Sequence, residues 1–359
     1  MSNRHYIIPI FVPHEGCPHN CVFCNQNTIT GVSEMVNAHF VKRTVETYLK
    51  TINKKKFSNA VVEISFFGGT FTAIPIDKQN ELLEEAKRFK KLGYIDYIRL
   101  STRPDYIDEY ILSNLKKYCV DTIELGVQSL DEEVLIKSGR GHTANDVVYA
   151  SELIKKYGFT LGHQIMIGLP GDSFEKDIIT AKNIISMKPD ICRIYPTIVV
   201  KNTPMEIMYN KGIYKPYSIE EAVNICKTIY GMFLNEGIDI IRIGLQPTKE
   251  INVNAEIVAG PFHPAFRELV EGSLLNDMLF DEINQFNNCN INLRINDKDV
   301  SKLFANSKKY FNDMMKKIPS NKINTKQDMD VNRGTIVIEV GDVFKIASLR
   351  EYTSKKFSF

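Results

Sequence analysis

Residues 14–26, HEGCPHNCVFCNQ, place Cys17, Cys21 and Cys24 within eight positions, the densest run of one reactive residue type in the chain. Three thiolates on one short loop can converge on a single inorganic centre. Structural zinc asks for four ligands, usually as two separated pairs, and the remaining cysteines, Cys119, Cys192, Cys226 and Cys289, are scattered. His14 and His19 are the residues that could complete a zinc site. A fully cysteine-ligated four-iron cluster also wants a fourth thiolate. Three ligands instead leave one metal position open, which a catalytic centre needs if it is to bind a substrate or co-substrate directly. Cys192 falls in a strand-like run and Cys226 on the apolar side of a helical pattern, where a buried free cysteine is the ordinary reading.

Other segments carry residues suited to holding a ligand. FGGT (67–70) contains Gly68, Gly69 and Thr70; glycines let a backbone amide or carbonyl approach a ligand closely, and the plain alternative is a tight strand-to-helix turn. ELGVQSL followed by GRGH sets Gln128 and Arg140 twelve residues apart. An arginine suits a carboxylate because its fork is rigid and always charged; alone, either residue reads as a surface or capping side chain. In AGPFHPAFRELVEG (259–272), Pro261 and Pro264 stiffen the backbone around His263, so His263, Arg267 and Glu268 are candidates to touch substrate, with packing or a surface ion pair as the alternative.

These residues need elements to position them. Strand-like runs lie at 6–12, 60–67, 96–101, 121–127, 160–167 and 191–197, several nearly continuous in apolar residues, as parallel strands covered on both faces are. Helical patterns fall between them, one with Val41, Val45, Tyr48, Leu49 and Ile52. Another opens on a Ser218–Glu221 capping box and carries Val223, Cys226, Ile229 and Phe233 on one face. Alternating β and α units imply a parallel sheet with right-handed crossovers. Six units before about residue 200 predict an α/β fold, a partial open (β/α)6 barrel over residues 1–245, with a doubly wound sheet as the alternative. Either architecture puts chemistry on the loops after the strands. The cysteine loop, FGGT, STRPD, GVQS, GLPG and YPTIV each follow or close a strand in turn. Residues 246–359 read as a small C-terminal α/β appendage: a helical segment, a basic stretch, an Asn/Lys-rich linker, and the strand pair TIVIEV and VFKIAS joined by Gly341 and Asp342.

Composition sets the remaining bounds. The chain has 359 residues and a formal net charge of +2, which gives no global argument for a polyanionic partner. No segment approaches the roughly 18 consecutive apolar residues of a membrane span. The N-terminal run contains Pro9 and no small-residue cleavage pattern, so a signal peptide is not expected and a cytoplasmic location is. Seven cysteines are too few and too dispersed for a disulfide framework.

The C-x3-C-x2-C spacing, with Phe23 before the last cysteine, resembles the signature of the radical S-adenosylmethionine (SAM) superfamily. The resemblance implies that Cys17, Cys21 and Cys24 hold a four-iron four-sulfur (4Fe–4S) cluster whose open iron chelates SAM. One electron, from an external flavodoxin- or ferredoxin-like donor, then cleaves SAM to give a 5′-deoxyadenosyl radical that abstracts hydrogen from a substrate. An oxygen-sensitive, anaerobic enzyme with a partial (β/α) barrel is implied. Phe23 then belongs to the cofactor-binding loop, and Gly68, Gly69 and Thr70 are similar to the glycine motif that meets the SAM amino group. Gln128 and Arg140 match SAM contacts of the subgroup that includes oxygen-independent coproporphyrinogen oxidase. Two positions depart from that subgroup: Ser101 stands where a glutamate is frequent, and Gln164 where an aspartate meets the SAM ribose.

A longer resemblance covers roughly residues 8–235. SFFGGTFT, STRPDY, ELGVQSLDEEVL, RGH, GLPG and YPTIVVKNTPMEIMYNKGIYKPYS are similar, in order, to segments of the radical-SAM half of elongator catalytic subunits, which modify wobble uridine in tRNA. An RNA nucleoside substrate is implied. Sixteen residues precede Cys17, and no acetyl-CoA-binding domain is recognised after residue 245, so neither a basic N-terminal extension nor acetyl transfer is expected. Residues 301–326 carry Lys302, Lys308, Lys309, Lys316, Lys317, Lys322 and Lys326 against Asp313, with Tyr310 and Phe311 interleaved. They could contact RNA phosphates or form a solvated lysine-rich face. The competing readings are a small-molecule or tetrapyrrole substrate, and a cluster-carrying or RNA-binding protein without turnover; a carrier would need no SAM pocket.

Overall fold

The computed structural model describes residues 5–12, 20–24, 36–52, 60–245 and 256–358. The chain divides into two compact units, Met1–Pro216 with Pro247–Ala259, and Tyr217–Gln246 with Gly260–Phe359. The helix that opens on the Ser218 capping box therefore groups with the C-terminal residues.

The first unit carries six parallel strands in sequential order: β1 (His5–Phe11), β2 (Val61–Phe67), β3 (Tyr97–Thr102), β4 (Thr122–Gln128), β5 (Thr160–Ile167) and β6 (Ile191–Pro196). Sequential parallel order is what a curling β/α barrel requires, so the doubly wound alternative falls. Helices follow the strands at Ala38–Thr51, Ile76–Lys91, Glu109–Lys117, Ala144–Lys156 and Phe174–Met187. Their starts are written in the sequence: Asn37, Asp108, Thr143 and Ser173 each accept a backbone N–H of the first turn, satisfying donors that have no partner within the helix. An aspartate just before a strand fixes register at the opposite end of the sheet. Asp96, Asp121 and Asp190 accept the N–H groups of Val62, Ile98 and Leu161 on the preceding strands, at 2.7, 2.7 and 2.8 Å.

The two faces of the sheet differ. One is apolar: Ile8, Ile10, Val62, Ile64, Phe66, Ile98, Leu100, Ile123, Leu125, Leu161, Ile165 and Ile194 are buried. The opposite face carries Glu63 on β2, Arg99 on β3, Glu124 on β4 and Arg193 on β6, all buried. Several strands nearly continuous in apolar residues were expected; the structure shows a charged residue threaded into each of four runs and pairs them in space. Arg99 reaches Glu63 at 2.9 Å and Glu124 at 3.4 Å, and Arg193 reaches Glu124 at 2.7 Å. The set is balanced in charge, as burial demands.

The second unit contains the capped helix Ile219–Asn235, the strand Asp239–Ile243, the helix Phe266–Ile283 and a four-stranded sheet. That sheet has the order Lys322–Gln327, Asn290–Ile295, Thr335–Val340, Val343–Ser348. The hairpin predicted around Gly341 and Asp342 is present, with Thr335 opposite Ser348 and Val340 opposite Val343. No described helix is long and apolar enough to cross a membrane.

The buried pairs make stability depend on pH. Burial alone would raise the Glu63 carboxyl, but hydrogen bonds from His5 and Ser65 and the charge of Arg99 outweigh it and hold the group below its ordinary value of 4.5. A carboxyl depressed in the folded state stabilises it above the unfolded value, and that contribution is lost as pH falls through the folded value. Glu63→Gln is expected to lower the urea midpoint at neutral pH and to make its decline on acidification shallower, read by urea unfolding across the pH range; a slope equal to that of the parent would contradict this.

Candidate cluster and cofactor site

Of the residues singled out from sequence, Cys21, Cys24, Gly68, Gly69, Thr70, Ser101, Gln128, Arg140 and Gln164 gather toward the C-terminal ends of the strands. Cys17, with His14 and His19, lies outside the described residues. Cys21 is buried and Cys24 half-buried; a turn, in which the Cys24 N–H donates to the Cys21 carbonyl at 3.0 Å, sets them one after the other. The loop is held from two sides: Val22 N–H donates to Ser138 O at 3.1 Å, and Met205 N–H donates to Val22 O at 2.9 Å. Phe23 and Val22 pack on an apolar wall of Val134, Leu169, Val199, Met205 and Tyr214. The Tyr214 hydroxyl donates to Gly168 O at 2.6 Å, so the segment after β6 ties the cysteine loop to the end of β5.

Gly68 has φ +91°, and a Cβ there would stand 2.4 Å from the Val12 carbonyl oxygen. Only glycine fits this contact between β2 and the point where the cysteine loop leaves β1. Thr70 is buried beside it and Gly69 half-buried. Ser101 on β3 is half-buried on the charged face, in register with Glu124. Gln128 ends β4 at a bulge and, unusually for a non-glycine residue, has φ +69°. The bulge brings its side chain to Gln164 on β5, whose Nε2 donates to Gln128 Oε1 at 3.3 Å. The structure thus joins the two glutamines.

Arg140 is buried. Its Nη1 donates to Cys21 Sγ at 3.4 Å and its Nη2 to the Gly126 carbonyl. A Cβ on Gly126 would stand 3.1 Å from Gln128 Nε2 and 3.4 Å from that nitrogen, so the missing side chain makes room chiefly for the Gln128 amide. Burial pushes Arg140 below the usual arginine range; the Cys21 sulfur opposes this and the neighbouring Arg103 adds to it. Arg103, within STRPD but not singled out from sequence, is equally buried and clamps Asp105 through two hydrogen bonds of 2.9 Å. Arg140 Nε and Arg103 Nη1 are buried with no hydrogen-bond partner among the described residues. Two guanidinium groups against one carboxylate, with a cysteine sulfur in contact, suit an anionic group at this position, and thiolate donors suit an iron–sulfur centre. The residues present fit a cluster and a carboxylate-bearing co-substrate.

Other sequence candidates lie elsewhere. Cys192 and Cys226 are fully buried, and burial pushes the Cys192 thiol far above its usual range. His163, next to Gln164, turns to the helix side, bonds the Ser151 hydroxyl at 2.8 Å and is held neutral by burial, its pKa lowered to about 3. In the second unit, His263 Nδ1 accepts the Ala265 N–H at 3.1 Å. Arg267 pairs with Glu271 at 2.7 Å and donates to Ile240 O, and Glu271 also receives Lys302 at 2.8 Å and the Tyr230 hydroxyl at 3.2 Å. Glu268 is half-buried one residue on. Within the basic stretch, Lys309 pairs with Glu220 and Lys316 with Asp313, while Lys308 and Lys317 lie over the rings of Phe304 and Phe280. Lys322 and Lys326 are exposed on an edge strand.

The Radical SAM superfamily model matches residues 11–181, and the Radical_SAM C-terminal domain model matches residues 189–276. The tRNA uridine(34) acetyltransferase of Methanocaldococcus jannaschii is 29% identical over 255 residues, covering 61% of this chain and 47% of that protein. Human elongator complex protein 3 is 27% identical over 262 residues, covering 61% of this chain and 48% of its own length. The chain spans about half the length of these relatives. In fold, the chain is similar to archaeal Methanocaldococcus infernus Elp3 with an N-terminal deletion, at TM-score 0.59 and 22% identity over 75% of this chain and 62% of that one.

Gly68 offers a direct test of the site's packing. Gly93 also has positive φ, +74°, but nothing lies within 4 Å of its Cβ position. Gly93→Ala is expected to cost about 1 kcal/mol of backbone strain, and Gly68→Ala about 1–3 kcal/mol more from steric overlap, read as the difference between their urea midpoints. Equal losses would contradict the close approach to β1.

Proposed function

The chain belongs to the radical SAM superfamily, and on that premise we propose that it is an enzyme that modifies an RNA nucleoside by hydrogen-atom abstraction. Cys17, Cys21 and Cys24 would hold a 4Fe–4S cluster. Arg140 would meet the SAM carboxylate, Gly68, Gly69 and Thr70 its amino group, and Gln128, Gln164 and Ser101 its remaining polar edge. When bound, the cluster and SAM supply one-electron reductive cleavage of SAM and, from it, hydrogen-atom abstraction. The observation that carries the reading is the Arg140 guanidinium lying between Cys21 Sγ and the β4 bulge. That placement puts fixed positive charge where thiolates and a carboxylate would meet. Phe23 and the wall around Met205 and Tyr214 would keep water from the cysteine loop.

The substrate class rests on two supports. The relatives named above are, by their names, a tRNA uridine acetyltransferase and an elongator subunit. On the charged face of the sheet, Arg99 and Arg193 are already matched by Glu63 and Glu124. A balanced polar wall suits an uncharged hydrogen-bonding ring such as a nucleobase better than a tetrapyrrole bearing several carboxylates. The lysines that would meet RNA are Lys322 and Lys326, with others of residues 301–326 recruited from surface pairs, and a flavodoxin- or ferredoxin-like protein would deliver the electron. Salt-bridged surface lysines exchange partners at small cost.

Anaerobically purified protein, reconstituted with iron and sulfide and given SAM and a reductant, is expected to form 5′-deoxyadenosine. Alanine at Cys17, Cys21 or Cys24 should abolish both bound iron and product, while Cys226→Ala should retain both. Cells lacking the protein should lose one modified tRNA nucleoside by mass spectrometry. A fully loaded protein that forms no 5′-deoxyadenosine would overturn the enzyme reading, and an unchanged nucleoside profile would overturn the substrate.

A further inference from the structure

Arg140 is delivered by a backbone with little stiffness of its own. It sits between Gly139 and Gly141, both at positive φ, +64° and +74°, so neither neighbour limits the conformations of the segment as a side chain would. Its N–H is held by the end of the helix Glu132–Lys137, through a 3.0 Å hydrogen bond to Leu135 O. Its carbonyl oxygen is held from the segment after β3: Arg103 Nη2 donates to it. Arg103 leaves β3 at Thr102 and enters the one-turn helix Pro104–Tyr106, whose proline fixes the local φ. Asp105 takes Arg103 Nε and Nη2 in a bidentate fork, both at 2.9 Å, a geometry that lysine cannot reproduce. With the fork closed, Arg103 has one fixed orientation, and in it the same Nη2 reaches the Arg140 carbonyl.

We propose that Arg103, fixed by Asp105, is a positioning residue that holds the Arg140 backbone so that its guanidinium stays between Cys21 and the Gly126 carbonyl. The proposal rests on the cluster-and-SAM reading of the site. Among the described residues Arg103 bonds Asp105 and the Arg140 carbonyl and no cysteine sulfur; it acts through Arg140. It also adds a second buried guanidinium beside Arg140, so that the two arginines together with Asp105 carry net positive charge. That extra positive charge favours whichever state of an anionic centre carries more negative charge.

Two consequences separate positioning from mere packing. Arg103→Lys keeps the charge and loses the fork, so the Michaelis constant for SAM should rise about tenfold while the rate of 5′-deoxyadenosine formation at saturating SAM changes by less than about threefold. Arg103→Met loses the charge as well, so the midpoint potential of the cluster, from an electron paramagnetic resonance (EPR) titration, should fall below that of the parent. Arg103→Lys should leave that potential near the parent value. A third readout needs no cluster: in apo-protein, amide hydrogen exchange across residues 139–143 should be faster in Arg103→Lys than in the parent. Asp105→Asn, which weakens the fork without removing Arg103, should reproduce the SAM and exchange effects and serves where Arg103→Met does not fold. Parent-like exchange and Michaelis constant in both Arg103→Lys and Asp105→Asn would overturn the proposal, even with lowered thermal stability. A parent that binds no iron–sulfur cluster would instead overturn the functional reading, and the exchange measurement would still decide the clamp.

Discussion

A guanidinium removed from water needs anions or carbonyl oxygens around it, and Arg140 finds them where three segments converge. The cysteine loop brings Cys21 Sγ, the bulged end of β4 brings the Gly126 carbonyl, and the helix Glu132–Lys137 delivers the arginine itself. Each segment is constrained by this meeting. Gly126 leaves space, Gln128 adopts a left-handed backbone that carries its side chain to Gln164, and Ser138 receives the Val22 N–H. Among the described residues the balance is incomplete, since buried N–H groups of Arg140 and Arg103 have no acceptor there. A site of this kind is arranged for a negative occupant.

The sheet makes the convergence possible by treating its two faces differently. Its apolar face supplies the burial that stabilises the unit, roughly 25 cal/mol for each Å² of apolar surface removed from water. Its opposite face carries charge, matched pair by pair along Glu63, Arg99, Glu124 and Arg193. Ser101 and Gln164 share that face toward the strand ends. A ligand reaching inward would meet fixed dipoles and paired ions. Such a wall is pre-oriented rather than reorganised on binding.

Much of this was legible in the sequence. The bounds of β5 are as read, and the other five strands differ by a residue or so at either end. The Ser218 box caps its helix as expected, and Val223, Cys226, Ile229 and Phe233 are buried along it. Gly68, Gln128, Gln164, Arg140, Cys21 and Cys24 all lie at the strand ends where the β/α pattern put them. Other features had no local signal. Glu63, Arg99, Glu124 and Arg193 each interrupt an apolar run singly, and only the folded sheet turns four interruptions into a network. The left-handed backbone of Gln128 follows from a bulge that no turn residue announces. Lysines of the basic stretch looked unopposed because the partner of Lys309, Glu220, is 89 positions away in sequence. Arg103 stood in a quoted motif, yet its contact is with a carbonyl 37 residues later. The strand Asn290–Ile295 alternates buried and exposed residues but lies in a stretch whose lysine content drew attention instead.

The central claim is that the cysteine loop and Arg140 together form an open, anionic iron–sulfur centre that binds SAM directly. EPR spectroscopy of the anaerobically reconstituted, reduced protein tests it most directly, with spectra recorded before and after addition of SAM. The account predicts a reduced 4Fe–4S signal whose shape changes on addition of SAM, with the change weakened in Arg140→Lys. A cluster signal that SAM leaves unaltered, or a protein that retains zinc and no iron, would contradict it.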